Sequence, residues 1–127
     1  MARILIIEDH PTNMKLACLM MENAGHVAVS AVDAEIGLTM ARDEQVDLIL
    51  MDIQLPGMDG LTATKLLKAD LATARIPVIA VTAAAKPIDE QMARAAGCDD
   101  FVSKPVRYKE LLEKINALLG QNTLKAA

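Results

Sequence analysis

Aromatic residues are almost absent from this chain of 127 residues. Phenylalanine and tyrosine occur once each, tryptophan does not occur, and aromatics make up only 2% of the sequence. Hydrophobic residues nevertheless amount to 53%, which is ample for a packed core. The core is therefore expected to consist of valine, isoleucine, leucine, methionine and alanine.

Other absences narrow the class of protein further. The only cysteines, Cys18 and Cys98, form no metal-binding or redox motif, which is typical of reduced, packed thiols in a cytosolic protein. No apolar run approaches the roughly 20 residues that a transmembrane helix needs, and the first residues lead straight into a strand without a signal peptide. The net charge is −4, and the sequence shows no cluster of basic residues of the kind that binds nucleic acid. We expect a single cytoplasmic domain that binds neither membrane nor nucleic acid.

Short apolar runs alternate with amphipathic segments along the whole chain. The runs predict five strands: Arg3–Ile7, Val27–Ala31, Asp47–Met51, Pro77–Val81 and Phe101–Ser103. The amphipathic segments predict five helices: about Thr12–Ala24, Ala34–Arg42, Leu61–Lys68, Lys86–Ala96 and Tyr108–Leu119. Gly25, Gly97 and Gly120 each follow a helical segment, where left-handed caps favour glycine, and Pro87 fits a first helical turn.

Five successive βα units predict an α/β protein whose parallel sheet is covered by helices on both faces. Right-handed crossovers then favour a flavodoxin-like (βα)5 doubly wound sandwich with a five-stranded parallel sheet in the order 2-1-3-4-5. Residues 1–120 are expected to form the domain, followed by a short C-terminal tail at 121–127. Ligands of such sheets bind at the carboxyl ends of the strands, so the site is expected there.

Polar residues mark the carboxyl ends of four predicted strands: Glu8 and Asp9 follow the first, Asp52 the third, Thr82 the fourth and Lys104 the fifth. Each one alone has an ordinary explanation as a turn, cap or strand-end residue. Together they predict one site, because three neighbouring acids favour a hard divalent cation such as Mg²⁺. An ionised aspartate can attack phosphorus, while an amine and a hydroxyl neutralise and orient a phosphoryl group.

Four segments carry a resemblance to a known family: 7–9 (IED), 50–60 (LMDIQLPGMDG), 76–83 (IPVIAVTA) and 103–105 (SKP). The chain resembles a response-regulator receiver domain of the CheY class over essentially its whole length, from Arg3 to Leu119. The resemblance implies that Asp52 is the phosphoacceptor and that Thr82 and Lys104 contact the phosphoryl group.

The resemblance also implies a cofactor, Mg²⁺ or Mn²⁺. Asp9 and Asp52 would bind it directly, Glu8 indirectly, and Gln54 through its backbone carbonyl. The Lys104-Pro105 peptide is expected to be cis. Thr82 and Phe101 would act as the switch pair, although Phe101 is equally well explained as a core residue. Ala84, two residues after Thr82, cannot position water, so the phosphoryl group is not expected to be especially short-lived.

The function implied is that of a stand-alone response regulator in a two-component system or phosphorelay. Such a domain catalyses its own phosphorylation and dephosphorylation without being a conventional enzyme, and its partners are a histidine kinase or phosphotransfer protein and a downstream protein target. Segments 13–16, 48–56 and 97–98 resemble single-domain regulators of bacterial cell division and polarity. The alternatives are a phosphorylation-independent pseudo-receiver, a receiver excised from a hybrid histidine kinase, and a flavodoxin-like cofactor carrier, whose phosphate the Glu8-Asp9 pair would repel.

The first predicted helix is unusually apolar. Met14, Ala17, Cys18, Met21 and Ala24 share the face expected to meet the core. Leu16 and Met20 widen this stripe, and Leu19 falls among polar residues. These three are expected to form a docking face for a partner helix bundle, with surplus hydrophobicity of a small protein as the alternative.

Overall fold

The computed structural model describes residues 2–83 and 87–126. Its strands are β1 (Arg3–Ile7), β2 (Val27–Ala31), β3 (Leu48–Asp52), β4 (Val78–Thr82) and β5 (Asp100–Ser103). Its helices are α1 (Pro11–Asn23), α2 (Ala34–Asp43), α3 (Gly60–Ala69), α4 (Pro87–Ala96) and α5 (Tyr108–Ala126). Among these residues, no helix combines the length and the apolar character that crossing a bilayer requires.

The five strands form one parallel sheet in the order β2-β1-β3-β4-β5. The predicted fold class and strand order are therefore confirmed. Helices α1 and α5 cover one face of the sheet, and α2, α3 and α4 cover the other. Because the order reverses between β1 and β3, the loops after these two strands diverge and leave a crevice at their carboxyl ends.

Apolar side chains alternate between the two faces of the central strands. Leu5 and Ile7 of β1 point into the layer under α2, α3 and α4, whereas Ile4 and Ile6 point into the layer under α1 and α5. Every residue of β3 is buried, as expected for a central strand of a parallel sheet. The core consists of the aliphatic and methionine side chains that the composition predicts.

Two strands end one residue later than the sequence pattern predicts. Asp52 pairs with Val81 across β3 and β4, and Thr82 pairs with Ser103 across β4 and β5. The apolar pattern placed both polar residues after their strands, but the backbone ladder continues through them. Asp52 and Thr82 are consequently held by the sheet itself, not by a loop.

The last helix is longer than predicted. The backbone of α5 continues through Gly120 to Ala126, so the predicted end at Leu119 and the cap role of Gly120 are wrong. Gly25 and Gly97 do follow helices with φ of 88° and 108°, as left-handed caps require. Helix α4 begins at Pro87, and the predicted start at Lys86 lies outside the described residues.

Helix α1 is tied to the beginning of α5 on one side of the sheet. The Nδ2 of Asn23 donates a hydrogen bond to the hydroxyl oxygen of Tyr108 at 3.1 Å. Between the same two helices, Met21 and Leu111 are buried in the core. The end of α1 is therefore joined directly to the start of α5.

Candidate functional site

The acids and the lysine come together at the carboxyl edge of the sheet. Asp52 is the last residue of β3, Glu8 directly follows β1, and Lys104 directly follows β5. Their strands are not all adjacent, but the long lysine side chain spans the width of β4 to reach the acids. The sheet thus positions the two carboxylates, and Lys104 joins them.

The Asp52 carboxylate is 3% exposed and is held at both oxygens. Its Oδ1 accepts a hydrogen bond from the backbone N–H of Gln54 at 3.0 Å, and its Oδ2 accepts one from Lys104 Nζ at 3.2 Å. The N–H of Gln54 is a donor that the sequence did not reveal, because only the turn after β3 directs it at the carboxylate. Both bonds orient the carboxylate group in one position.

Lys104 bridges two carboxylates. Its Nζ lies 3.2 Å from Asp52 Oδ2 and 3.2 Å from Glu8 Oε1, and its backbone N–H donates to the carbonyl of Thr82 at 2.7 Å. Partial burial lowers the pKa of the ammonium, but the carboxylates of Asp52 and Glu8 outweigh burial, and the net pKa is raised. The peptide between Lys104 and Pro105 is cis.

Glu8 is a buried acid in a crowded anionic site. Burial is the main cause that raises the pKa of its carboxyl group, and the neighbouring Asp52 carboxylate raises it further. The backbone N–H of His10, which donates to Oε2 at 3.1 Å, and the Lys104 ammonium act in the opposite direction. The net effect is a glutamate that holds its proton more tightly than a solvated one.

Three acids converge closely enough to share one cation. Glu8, Asp9 and Asp52 each offer a carboxylate oxygen, and these oxygens all lie within 4.8 Å of one another. Hard oxygen donors in this number suit Mg²⁺ or Mn²⁺. Asp9 is exposed, so the cluster is open to solvent on one side. The donor set therefore fits the cation that the sequence predicts.

The predicted switch residues stand on the neighbouring strands β4 and β5. Thr82 is buried at the end of β4, beside the backbone of Lys104. Phe101 of β5 is partly buried and packs against the core layer under α2, α3 and α4. Its carbonyl accepts a hydrogen bond from Lys114 Nζ at 3.0 Å. Ala84 lies outside the described residues.

The three residues of the predicted docking face differ in exposure. Leu16 and Leu19 are 51% and 53% exposed, whereas Met20 is half-buried against the core. A cavity of about 90 Å³ separates α1 from the start of α5 and is lined by Met20 and Val106 as well as by Asp52. The exposed leucines therefore lie on the same side of the sheet as a crevice that reaches the acids.

Comparison with known proteins places the chain among signalling domains. The family called response regulator receiver domain matches residues 4–116. The protein PilH of Pseudomonas aeruginosa is 42% identical over 120 residues, covering 94% of this chain and 99% of PilH. The polar-differentiation response regulator DivK of Brucella anthropi is 43% identical over 117 residues, covering 92% of this chain and 95% of DivK.

One similar solved structure contains a metal ion. It is the receiver domain of a sensor histidine kinase from Pseudomonas aeruginosa, crystallised with a magnesium ion coordinated in its active-site cleft. It is similar to this chain with a TM-score of 0.87 and 32% identity, over 94% of this chain and 98% of its own.

Proposed function

Because the chain belongs to the response regulator receiver domain family, we propose that it accepts a phosphoryl group from a phosphohistidine onto Asp52. The observation that carries the proposal is the Asp52 carboxylate, which is held between the Gln54 N–H and the Lys104 ammonium beside two further acids. The response would be a phosphorylation-dependent interaction with another protein in a two-component system or phosphorelay. Residues 1–120 would form the receiver domain.

The transfer step needs one nucleophile and one leaving group. A carboxylate oxygen of Asp52 attacks the phosphorus and forms a new O–P bond. The N–P bond of a phosphohistidine that is protonated at its other ring nitrogen breaks, and its electron pair goes to the nitrogen that carried the phosphorus, so that neutral histidine leaves. Lys104, whose raised pKa keeps it protonated, offsets the charge on the phosphoryl oxygens, and the Thr82 hydroxyl can donate to them.

Glu8, Asp9, Asp52 and the backbone carbonyl of Gln54 are the groups that would hold Mg²⁺ or Mn²⁺, with Glu8 acting indirectly. When bound, the cation supplies positive charge that neutralises the phosphoryl oxygens and the acids together. Asp52 and Glu8 are buried, and Asp9 is exposed. Asp9 would therefore face the side from which the ion and the phosphodonor enter.

We propose that phosphorylation shifts a two-state equilibrium through Thr82 and Phe101. In the favoured state Thr82 moves towards the phosphoryl group and Phe101 turns inward. The partial burial of Phe101 supports this role, because a fully buried ring would have no second position to occupy. The surface of α4, β5 and α5 would carry the change to the target protein.

Leu16, Leu19 and Met20 form the proposed docking face for a helix bundle of the phosphodonor. Replacing Leu19 with glutamate puts a charge on this face without touching the acids, so transfer from a phosphohistidine protein should slow at least ten-fold. Reaction with acetyl phosphate should stay unchanged.

Leu71 is the matched control, because it is 95% exposed in the connection between α3 and β4 and offers the same leucine-to-glutamate change. Equal effects of Leu19→Glu and Leu71→Glu, or a loss of both reactions, would reject the docking face.

The similarity to a polar-differentiation regulator supports a finer proposal, a role in bacterial cell polarity or the cell cycle. The competing function is a pseudo-receiver that acts as an interaction module without phosphorylation. The complete set of acids, hydroxyl and amine at the site favours the phosphorylated receiver.

Intact-mass analysis after incubation with acetyl phosphate tests the central proposal. The protein should gain one phosphoryl group only when Mg²⁺ is present, with acetate as the leaving group, and Asp52→Ala should gain none. A gain in Asp52→Ala would show that another residue is the acceptor. No gain in the wild type, from acetyl phosphate and from every purified phosphohistidine donor tried, would favour the pseudo-receiver.

A further inference from the structure

Gly60, the first residue of α3, lies against the backbone of the candidate phosphoacceptor. A Cβ atom added to it would lie 2.3 Å from the carbonyl oxygen of Asp52 and 2.8 Å from the Cα of Ile53. Ordinary contact begins at about 3.4 Å, so the two segments would have to separate by about 1 Å. Because the opposing atoms belong to the backbone, no side-chain rotation relieves the overlap.

We propose that Gly60 is a positioning residue, whose missing side chain lets α3 press the phosphoacceptor segment into place. This inference rests on the proposed function, because it concerns the same metal and phosphoryl site. The segment from Asp52 to Gln54 supplies the attacking carboxylate and the backbone carbonyl proposed as a metal ligand. Gly60 would thus set the geometry of the site without touching metal or phosphodonor.

The backbone contacts show how tightly the turn is closed. The N–H of Gly60 donates to the carbonyl of Ile53 at 3.0 Å, and the N–H of Ile53 donates to the carbonyl of Val81 at 3.0 Å. The next N–H, that of Gln54, is the one bonded to Asp52 Oδ1. A displacement of Ile53 would therefore move both the backbone of Gln54, whose carbonyl is the proposed metal ligand, and the carboxylate of Asp52.

Helix α3 has little freedom to move away instead. Ala63, Thr64 and Leu67 have exposures of 0%, 0% and 1%, so the helix is fixed in the core along its inner face. The hydroxyl of Thr64 also donates to the carbonyl of Gly60 at 2.8 Å, which anchors the first turn. Strain introduced at Gly60 would thus be transmitted to the segment around Asp52.

Gly37 in α2 offers a matched control. A Cβ there would lie 2.4 Å from Cδ1 and 2.8 Å from Cγ1 of Ile7, which are side-chain atoms at the end of β1. Gly37→Ala should therefore overpack the core through a side chain that can rearrange, without pushing on the backbone around Asp52. Both variants are expected to lose stability, but only Gly60→Ala should alter the site.

The experiment compares wild type, Gly60→Ala and Gly37→Ala in two assays. Calorimetric titration with Mg²⁺ should show 10- to 100-fold weaker binding for Gly60→Ala, the range seen when a supporting group is lost, and less than two-fold change for Gly37→Ala. Hydrogen exchange without metal should show faster exchange of the Gln54 amide in Gly60→Ala alone. Thermal unfolding of all three separates these effects from global stability.

The outcomes distinguish the inference from the function on which it rests. Wild-type protein that binds no Mg²⁺ would contradict the proposed function. The exchange rate of the Gln54 amide would then be the single measurement that decides whether Gly60 is a positioning residue. Gly60→Ala with the affinity and the Gln54 protection of the wild type would overturn the inference. If Gly60→Ala does not fold, all three are compared in a stabilising osmolyte. A variant unfolded even there would show a requirement of the fold and would also overturn the inference.

Discussion

Replacing Lys104 with methionine removes the ammonium group but keeps a side chain of similar length. In the structure this ammonium bridges Glu8 and Asp52, whose side chains are 8% and 3% exposed. Without it, the two buried carboxylates and the exposed carboxylate of Asp9 lie close together with one positive charge fewer among them. The variant should therefore be less stable when no divalent cation is present.

The magnitude follows from the two contacts. Unit charges about 4 Å apart attract by about 4 kcal/mol at an effective dielectric constant of about 20, and desolvation opposes much of this gain. Breaking a fully buried pair typically costs about 3–5 kcal/mol, and breaking an exposed one about 0–1 kcal/mol. Because Lys104 is 23% exposed while its partners are buried, we expect a loss of about 2–3 kcal/mol.

Urea unfolding at about pH 7, with a chelator and then with Mg²⁺, measures this loss. The difference in unfolding free energy between wild type and Lys104→Met should shrink when Mg²⁺ is added, since the cation replaces the missing positive charge. The raised pKa of Lys104 means that its contribution is fully present below its unfolded value of 10.5 and is lost as the pH rises through the higher folded value. The difference between wild type and variant should therefore close at strongly alkaline pH.

The control is Lys65→Met, because Lys65 is exposed on α3, and we expect a change within about 0.5 kcal/mol. The reasoning is refuted if Lys104→Met is no less stable than this control. It is also refuted if the deficit stays the same in proteins that carry Asp52→Asn together with Glu8→Gln.

Three further predictions concern single side chains. Burial raises the pKa of Glu8 above 4.5, so the free energy of unfolding should fall as the pH rises from about 4.5 through the higher pKa of the folded protein. Glu8→Gln should therefore be more stable than wild type at about pH 7 and equal to it below about pH 4, which urea unfolding can measure. Burial raises the pKa of both thiols, but Cys98 is 6% exposed and Cys18 is only partly buried, so a thiol reagent should modify Cys18 first and Cys98 only on unfolding; equal rates would contradict this. Val106→Ile should fill part of the 90 Å³ cavity and raise the Tm by a few degrees; a lower Tm would mean that the added methyl group is overpacked.

The alternation of apolar runs was sufficient to predict the class and order of the elements. Strands β1 and β2 have the predicted bounds, because Glu8 and Asp9 follow β1 and Gly25 lies just before β2. The predicted ranges of β3 and β4 lie one residue too early, because hydrophobicity does not show that the backbone ladder continues through Asp52 and Thr82. The extension of α5 does not follow from the sequence pattern, because Gly120 stands where a helix cap is expected, whereas glycine is also tolerated inside a helix at moderate cost.

The candidate site was predictable in its side chains but not in its backbone. Glu8, Asp9, Asp52 and Lys104 stand at strand ends, and parallel strands bring such residues to one edge. The bond from the Gln54 N–H and the close approach of Gly60 depend on the path of a single turn. A glycine at a helix start has several explanations, so the sequence alone did not reveal this contact.

The scarcity of aromatic rings has an optical consequence. With one tyrosine and no tryptophan, the emission excited in the tyrosine absorption band comes from Tyr108 alone. Its hydroxyl is bonded to Asn23 at the end of α1, and the ring borders a pocket with Leu19 and Met20. Whatever binds or displaces α1 alters the surroundings of the single fluorophore. The native sequence thus carries a built-in reporter at one defined place, and its first helix can be followed without a label.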